Sequence, residues 1–136
     1  MKIRQPLVCA LVFAGFMAAG VQASAQSVKV KCTTGNGRST AEVEGFQLVP
    51  GWYTSVLTSD KGANQAQSDR EYAERDDDDD ANDEDVDFEF DSKESEIRDG
   101  DTRIAPNFVV NQKVVAVLKD SSGTEVARSS AKCKAR

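Results

Sequence analysis

The sequence predicts an all-β domain: an antiparallel β-sandwich of immunoglobulin-like type with about seven strands. Three observations carry that expectation. Apolar and polar residues alternate with a period of two in several short runs, clusters of Gly, Pro, Asn and Asp separate those runs, and two cysteines, Cys32 and Cys133, stand near the two ends of the expected domain.

Residues 1–25 are set apart from the domain. Lys2 and Arg4 precede an apolar run from Leu7 to Val21, and Ala23-Ser24-Ala25 offers the small residues that signal peptidase accepts. We expect a cleaved Sec-type signal peptide, cut after Ala25, and a periplasmic or secreted protein. The apolar run is short for a span and is closed by Gln22, Ser24 and Gln26, so no membrane span is expected in the mature chain. The single domain then covers residues 26–136.

In chain order, Val28, Val30 and Cys32 share one face of a first strand, with Lys29 and Lys31 on the other. Thr34-Gly35-Asn36-Gly37 turns the chain. In the second strand, Ser39 to Val49, Ala41 and Val43 are out of phase with Phe46 and Leu48, which predicts a β-bulge at Gly45. Pro50-Gly51 leads into a third strand, Trp52 to Thr58, rich in aromatic and β-branched residues. The hydrophobic pattern then lapses until Val86, so residues 60–85 read as a flexible acidic loop, with a helical turn or two near Ser68 to Arg75 where Arg70/Glu74 and Glu71/Arg75 are spaced i,i+4. Val86, Phe88 and Phe90 alternate with Asp87, Glu89 and Asp91, the clearest strand of all. A polar connection with a turn at Asp99-Gly100-Asp101 and an extended arm around Pro106 follow. Lys113 to Lys119, apolar on both faces, is expected to be central, and Asp120-Ser121-Ser122-Gly123 turns it into a last strand, Thr124 to Lys134.

An even number of cysteines in an exported domain predicts one disulfide, Cys32 to Cys133, joining the first and last strands. It would bring Lys29, Lys31, Lys132, Lys134 and Arg136 together as a basic patch, or leave them as guards of edge strands.

Pro50-Gly51-Trp52-Tyr53-Thr54-Ser55-Val56-Leu57-Thr58 resembles a strand found in transthyretin-like and collagen-adhesin B-type sandwich repeats. The hairpin from Val114 to Cys133 is similar to their closing strands. Phe88-Glu89-Phe90-Asp91-Ser92, set between two terminal cysteines, resembles small exported proteobacterial proteins of unassigned function. The resemblance implies the sandwich fold and carries no catalytic residue with it.

Charge is concentrated. Residues 69–101 hold 18 of the 23 acidic side chains against four basic ones, which makes nucleic acid a poor partner. The chain has no histidine, so neither a Ser-His-Asp nor a Cys-His nucleophile can be assembled, and the expectation is a non-enzymatic protein with no catalytic residue and no certain cofactor. Clustered carboxylates suit calcium, which takes about six to eight oxygen ligands. The spacing is not that of an EF-hand: Ala81 stands where glycine is needed, and Val86 and Asp87 fall where the bidentate Glu belongs. Asp87, Glu89 and Asp91, with Asp99 and Asp101, form the candidate metal set. Asp76, Asp77, Asp78, Asp79, Asp80, Asp83, Glu84 and Asp85 form an acidic loop that would attract a cationic protein or peptide. The function expected is binding of a divalent cation or a cationic partner, and the alternative is a structural or adhesion-type sandwich in which the acidic loop is a solubilising insertion. Trp52 and Tyr53 offer a stacking platform for a sugar or peptide, or simply fill core and rim.

Overall fold

The computed structural model describes residues 26–74 and 82–136. The expected signal peptide and the Asp76–Asp80 run lie outside the described residues. The described chain is all-β apart from one short helix and one 3-10 turn. Its strands are β1 (Ser27–Gly35), β2 (Arg38–Phe46), β3 (Gly51–Ser59), β4 (Asn64–Gln67), β5 (Glu71–Ala73), β6 (Glu84–Asp91), β7 (Thr102–Arg103), β8 (Lys113–Asp120), β9 (Glu125–Lys132) and β10 (Lys134–Ala135), with helix α1 (Glu94–Asp99) between β6 and β7. Two sheets face each other. Sheet A runs β10-β1-β2-β6-β7, and sheet B runs β4-β3-β8-β9 with β5 paired on the far end of β3. The long pairings are antiparallel; the short β10 and β7 join their neighbours in parallel. Ten strands replace the expected seven or so, because short strands of two to four residues pair along edges where no hydrophobic alternation marks them.

The alternation works as anticipated in the long strands. Val28, Val30 and Cys32 of β1, Ala41 and Val43 of β2, and Val86, Phe88 and Phe90 of β6 enter the core from sheet A; Tyr53 and Leu57 of β3 and Val114, Ala116 and Leu118 of β8 meet them from sheet B. Fully burying each of the larger side chains contributes about 1.5–3 kcal/mol. Strand β8 is central, between β3 and β9. The phase break in β2 is a register shift between Gly45 and Phe46. Gly45 is needed there for space: a Cβ would lie 2.7 Å from Val86 Cγ2 and 3.0 Å from Leu48 Cδ1. Past the shift Phe46 turns outward, where Lys29 Nζ lies 4.8 Å from its ring centroid.

The stretch expected to be a loop holds β4 and β5. Strand β4 pairs with Val56–Ser59, and β5 sets Tyr72 opposite Trp52 and Ala73 opposite Gly51. Ala73 is buried and Ala66 packs on the core, but alanine adds little to a hydrophobic pattern. No helix forms at Ser68 to Glu74. An i,i+4 ion pair is worth about 0.2–0.5 kcal/mol, less than what the extended chain gains: Ser55 N–H donates to Ser68 Oγ (2.8 Å), Ser68 N–H to Ser55 O (2.9 Å), and Arg70 stacks on Trp52. The polar connection after β6 contains α1, with Glu94 and Glu96 in its first turn, Arg98 in its last, and Gly100 at φ 125° to end it.

Cys32 and Cys133 form the disulfide, with Cα atoms 4.6 Å apart. Cys133 sits at the step where the chain leaves β9 in sheet B and enters β10 on the edge of sheet A, so the bond clamps the two sheets together. Among the described residues no helix is long and apolar enough to cross a membrane.

Candidate functional site

The outer face of sheet A is built by three antiparallel strands whose inward residues fill the core. Register sets Lys29 of β1 beside Glu44 of β2, and Lys31 beside Glu42. On the other side Glu44 faces Asp87 of β6, and Glu42 faces Glu89. The shift at Gly45 brings Glu84 opposite Phe46, next to Glu44. Like charges therefore lie directly across two strands, an arrangement that costs stability.

Glu42, Glu44 and Glu84 converge most closely, each with a carboxylate oxygen within 4.8 Å of the other two. Oxygens bound to one calcium from opposite sides sit about 5 Å apart, twice the usual calcium–oxygen distance. The trio fits that limit. Lys31 is its neighbouring cation, 3.1 Å from Glu44 Oε1 and 3.8 Å from Glu42 Oε2. For Glu44, burial pushes upward but the hydrogen bond and charge of Lys31 prevail and hold the carboxyl below its ordinary value. Burial, then the hydrogen bond shared with Glu44, raises Glu84. Burial raises Glu42 against the pull of Lys31.

Asp87 stands beside this trio. Burial, followed by the charges of Glu42, Glu84, Glu89 and Glu44, pushes its carboxyl up to about 7. Its Oδ1 is buried with no hydrogen-bond partner among the described residues. Its backbone N–H donates to Glu71 Oε2 at 3.4 Å, and burial raises Glu71 against that bond. Asp101 is raised to about 6 by burial and then by its hydrogen bond with Glu89. A cleft of about 570 Å³ opens over the same strands; Glu42, Glu89 and Asp101 line it together with Lys31, Lys132 and Lys134.

The candidate metal set is thus divided. Asp87, Glu89 and Asp101 belong to the acidic face. Asp91 does not offer a free carboxylate: it is 4% exposed, Arg38 grips it through Nε (2.9 Å to Oδ1) and through Nη2 on Oδ2, and the Lys93 N–H donates to it at 2.9 Å. Burial opposes its ionisation, and the Arg38 hydrogen bond overrides this and lowers its carboxyl. Asp99 ends α1, exposed and outside the converging trio. Of the acidic-loop residues, Glu84 joins the trio, Asp83 is exposed, and Asp85 accepts the Leu48 N–H at 2.8 Å, fastening the β2–β3 connection. Asp76, Asp77, Asp78, Asp79 and Asp80 lie outside the described residues. Glu42 and Glu44 were missed by the sequence reading. Their alternation with Ala41 and Val43 was visible, but the pairing of β2 with β6 was not.

The expected basic patch is partly spent, since Lys31 serves Glu42 and Glu44, Lys29 covers Phe46, and Arg136 Nη2 donates to Thr33 and Thr40. Fold and site together define a two-sheet, disulfide-clamped β-protein with a carboxylate-rich outer face. No family model matches the chain, and comparison with curated proteins and with solved structures finds no similar one. The likeness of Pro50–Thr58 to transthyretin-like and adhesin strands rests on those residues alone.

Proposed function

We propose that the chain is an exported, non-catalytic binding module that takes a divalent cation, calcium foremost, on the outer face of sheet A. The observation that supports this is the convergence of Glu42, Glu44 and Glu84 beside an Asp87 whose carboxyl is raised to about 7. A divalent ion offsets the burial and mutual repulsion that raise Glu42, Glu84 and Asp87, and gives Asp87 Oδ1 the partner it lacks among the described residues. Lys31 competes with the ion for the same oxygens, so the affinity is modest.

Calorimetry of the oxidised protein with calcium and with magnesium, at about 0.15 M salt to screen loose association, tests the reading. We expect a saturable, calcium-selective heat that Glu42→Gln/Glu44→Gln abolishes and Asp99→Asn leaves intact. Near pH 6.5 the heat should vary with the ionisation enthalpy of the buffer, because binding expels the Asp87 proton. Weak heats with either ion that salt suppresses would overturn the proposal and leave the carboxylates as a solvated, solubilising face. Binding of polylysine in place of calcium would transfer the face to cationic macromolecules.

A further inference from the structure

The opposite surface has a different chemistry. On the outer face of sheet B, β3 presents Trp52, Thr54, Val56 and Thr58, which register with Lys119, Val117 and Val115 of β8 and with Gln67, Gln65 and Tyr72 of β4 and β5. Val56 and Val117 are 5% and 7% exposed, so the middle of the face is covered. Its proud groups are at one end: Trp52 is 42% exposed and Tyr72 45%. Their rings meet edge to face, with centroids 5.2 Å apart, and the Arg70 guanidinium lies 4.5 Å from the Trp52 centroid.

Trp52 and Arg70, but not Tyr72, border a groove of about 340 Å³ that Gln67 of β4, Thr54 of β3 and Lys119 of β8 also line. The volume is at the small end of ligand clefts. The carboxylate of Asp120 also borders the groove, but its Oδ1 is occupied by the Ser122 and Thr124 N–H groups and the Ser122 hydroxyl. Arg70 and Lys119 have no carboxylate within ion-pair distance among the described residues.

We propose that this groove binds a carboxylated sugar unit of an acidic polysaccharide. The chemistry requires three things of a site, and the groove supplies each. Trp52, 42% exposed beside the Arg70 guanidinium, offers its remaining apolar indole surface to the C–H face of a pyranose ring. Gln67 and Thr54 exchange hydrogen bonds with ring hydroxyls. Two lining cations meet the carboxylate and that of a neighbouring unit, and Arg70, spread over Trp52, is held ready for a planar anion. Arg128 extends the positive strip across β9, where it registers with Val117. Glu125 tempers it through the Arg128 ion pair. An anionic membrane is the weaker fit, because the two central valines of the face are covered and its exposed aromatics are confined to Trp52 and Tyr72 at one end.

Trp52 is the chain's only tryptophan, so its emission reports directly on the groove in the unaltered protein. Titration of the oxidised protein with polygalacturonate should change that emission saturably, whereas dextran, a neutral polymer, should leave it unchanged. Affinity electrophoresis in polygalacturonate gels should show retardation weakened about tenfold by Trp52→Ala and at least as much by Arg70→Gln/Lys119→Gln, which removes charge-assisted hydrogen bonds. Glu42→Gln/Glu44→Gln should bind as the parent does. Three results would overturn the proposal: no emission change with polygalacturonate; retardation that Trp52→Ala leaves intact and that heparin or DNA reproduces; or binding confined to phosphatidylglycerol vesicles.

Discussion

The two outer faces of the sandwich are made by the same device and differ in almost every other respect. On both, strand alternation sends one set of side chains inward and leaves the other in solvent. Sheet A carries Glu42, Glu44, Glu84, Asp87 and Glu89 around Lys31 on its outer face; sheet B carries Lys113, Lys119 and Arg128 around Glu125, with Arg70 and Trp52 at its end. The formal charge of −6 conceals this division. Like charges across paired strands cost stability, and a solubilising surface would mix signs instead. A segregated surface creates a field with a direction.

The comparison depends on the sheets staying back to back, so the largest effect should come from Cys32→Ser/Cys133→Ser. The loop closed by the bond spans 101 residues, and removing a native disulfide from a small domain costs about 2–5 kcal/mol. Denaturant unfolding should show that loss, and both faces should lose their ligands together at mild denaturant. If calcium binding survived conditions that abolished polysaccharide binding, sheet A would be holding its site without sheet B.

A second, smaller loss separates the structural carboxylate of the acidic face from its neighbours. Asp91→Asn leaves Arg38 without its fork and should lower the melting temperature more than Glu89→Gln or Asp99→Asn, because Asp91 alone of the three is buried and doubly bonded. Equal shifts in all three would mean that the Arg38 pair is only a surface contact.

Much of this division was legible in the sequence, and the limit of legibility has a physical basis. Val86-Asp87-Phe88-Glu89-Phe90 declared both its strand and its two faces, and the Gly45 phase break declared the bulge, because each signal lies within one short segment. The site needed more. Glu42 and Glu89 are 47 positions apart in the sequence, and only the antiparallel register of β2 on β6 makes them neighbours. Trp52 and Tyr53 were read as a pair, yet adjacent strand residues face opposite ways. Tyr53 enters the core and donates to Val49 O at 2.6 Å, while Trp52 finds Tyr72 on a three-residue strand whose single alanine gave no hydrophobic signal.

Titration should sharpen the contrast further. Asp87 holds a proton up to about pH 7 in the folded chain, whereas an unfolded aspartate releases it near about 3.9. Between those values the folded state binds more protons, so stability is fullest at the acid end of the window and falls as pH rises through 7. Asp101, raised to about 6, acts in the same direction. Asp91 acts in the opposite one: its lowered carboxyl contributes stability above the unfolded value, lost as pH falls below it. Thermal melts from pH 5 to 8 should therefore decline with pH, flatten in Asp87→Asn, and recover at pH 8 when calcium is added. A flat profile in the parent would mean that the acidic face is too well solvated to repel itself.

The smallest effect expected is also the most discriminating. Lys31 is 64% exposed on its side chain and lies 3.1 Å from Glu44, so Lys31→Gln removes a screened surface pair and should scarcely move the melting temperature. It also removes the cation that competes for the Glu42 and Glu44 oxygens. Calcium affinity should rise by a few-fold, and the magnesium heat should remain weak, because magnesium demands a tighter octahedron than three strand carboxylates provide. Binding on sheet B, measured by Trp52 emission, should not change. A loss of calcium affinity in Lys31→Gln would reverse the argument, for it would show that the lysine holds the carboxylates in place for the ion and is a partner in the site.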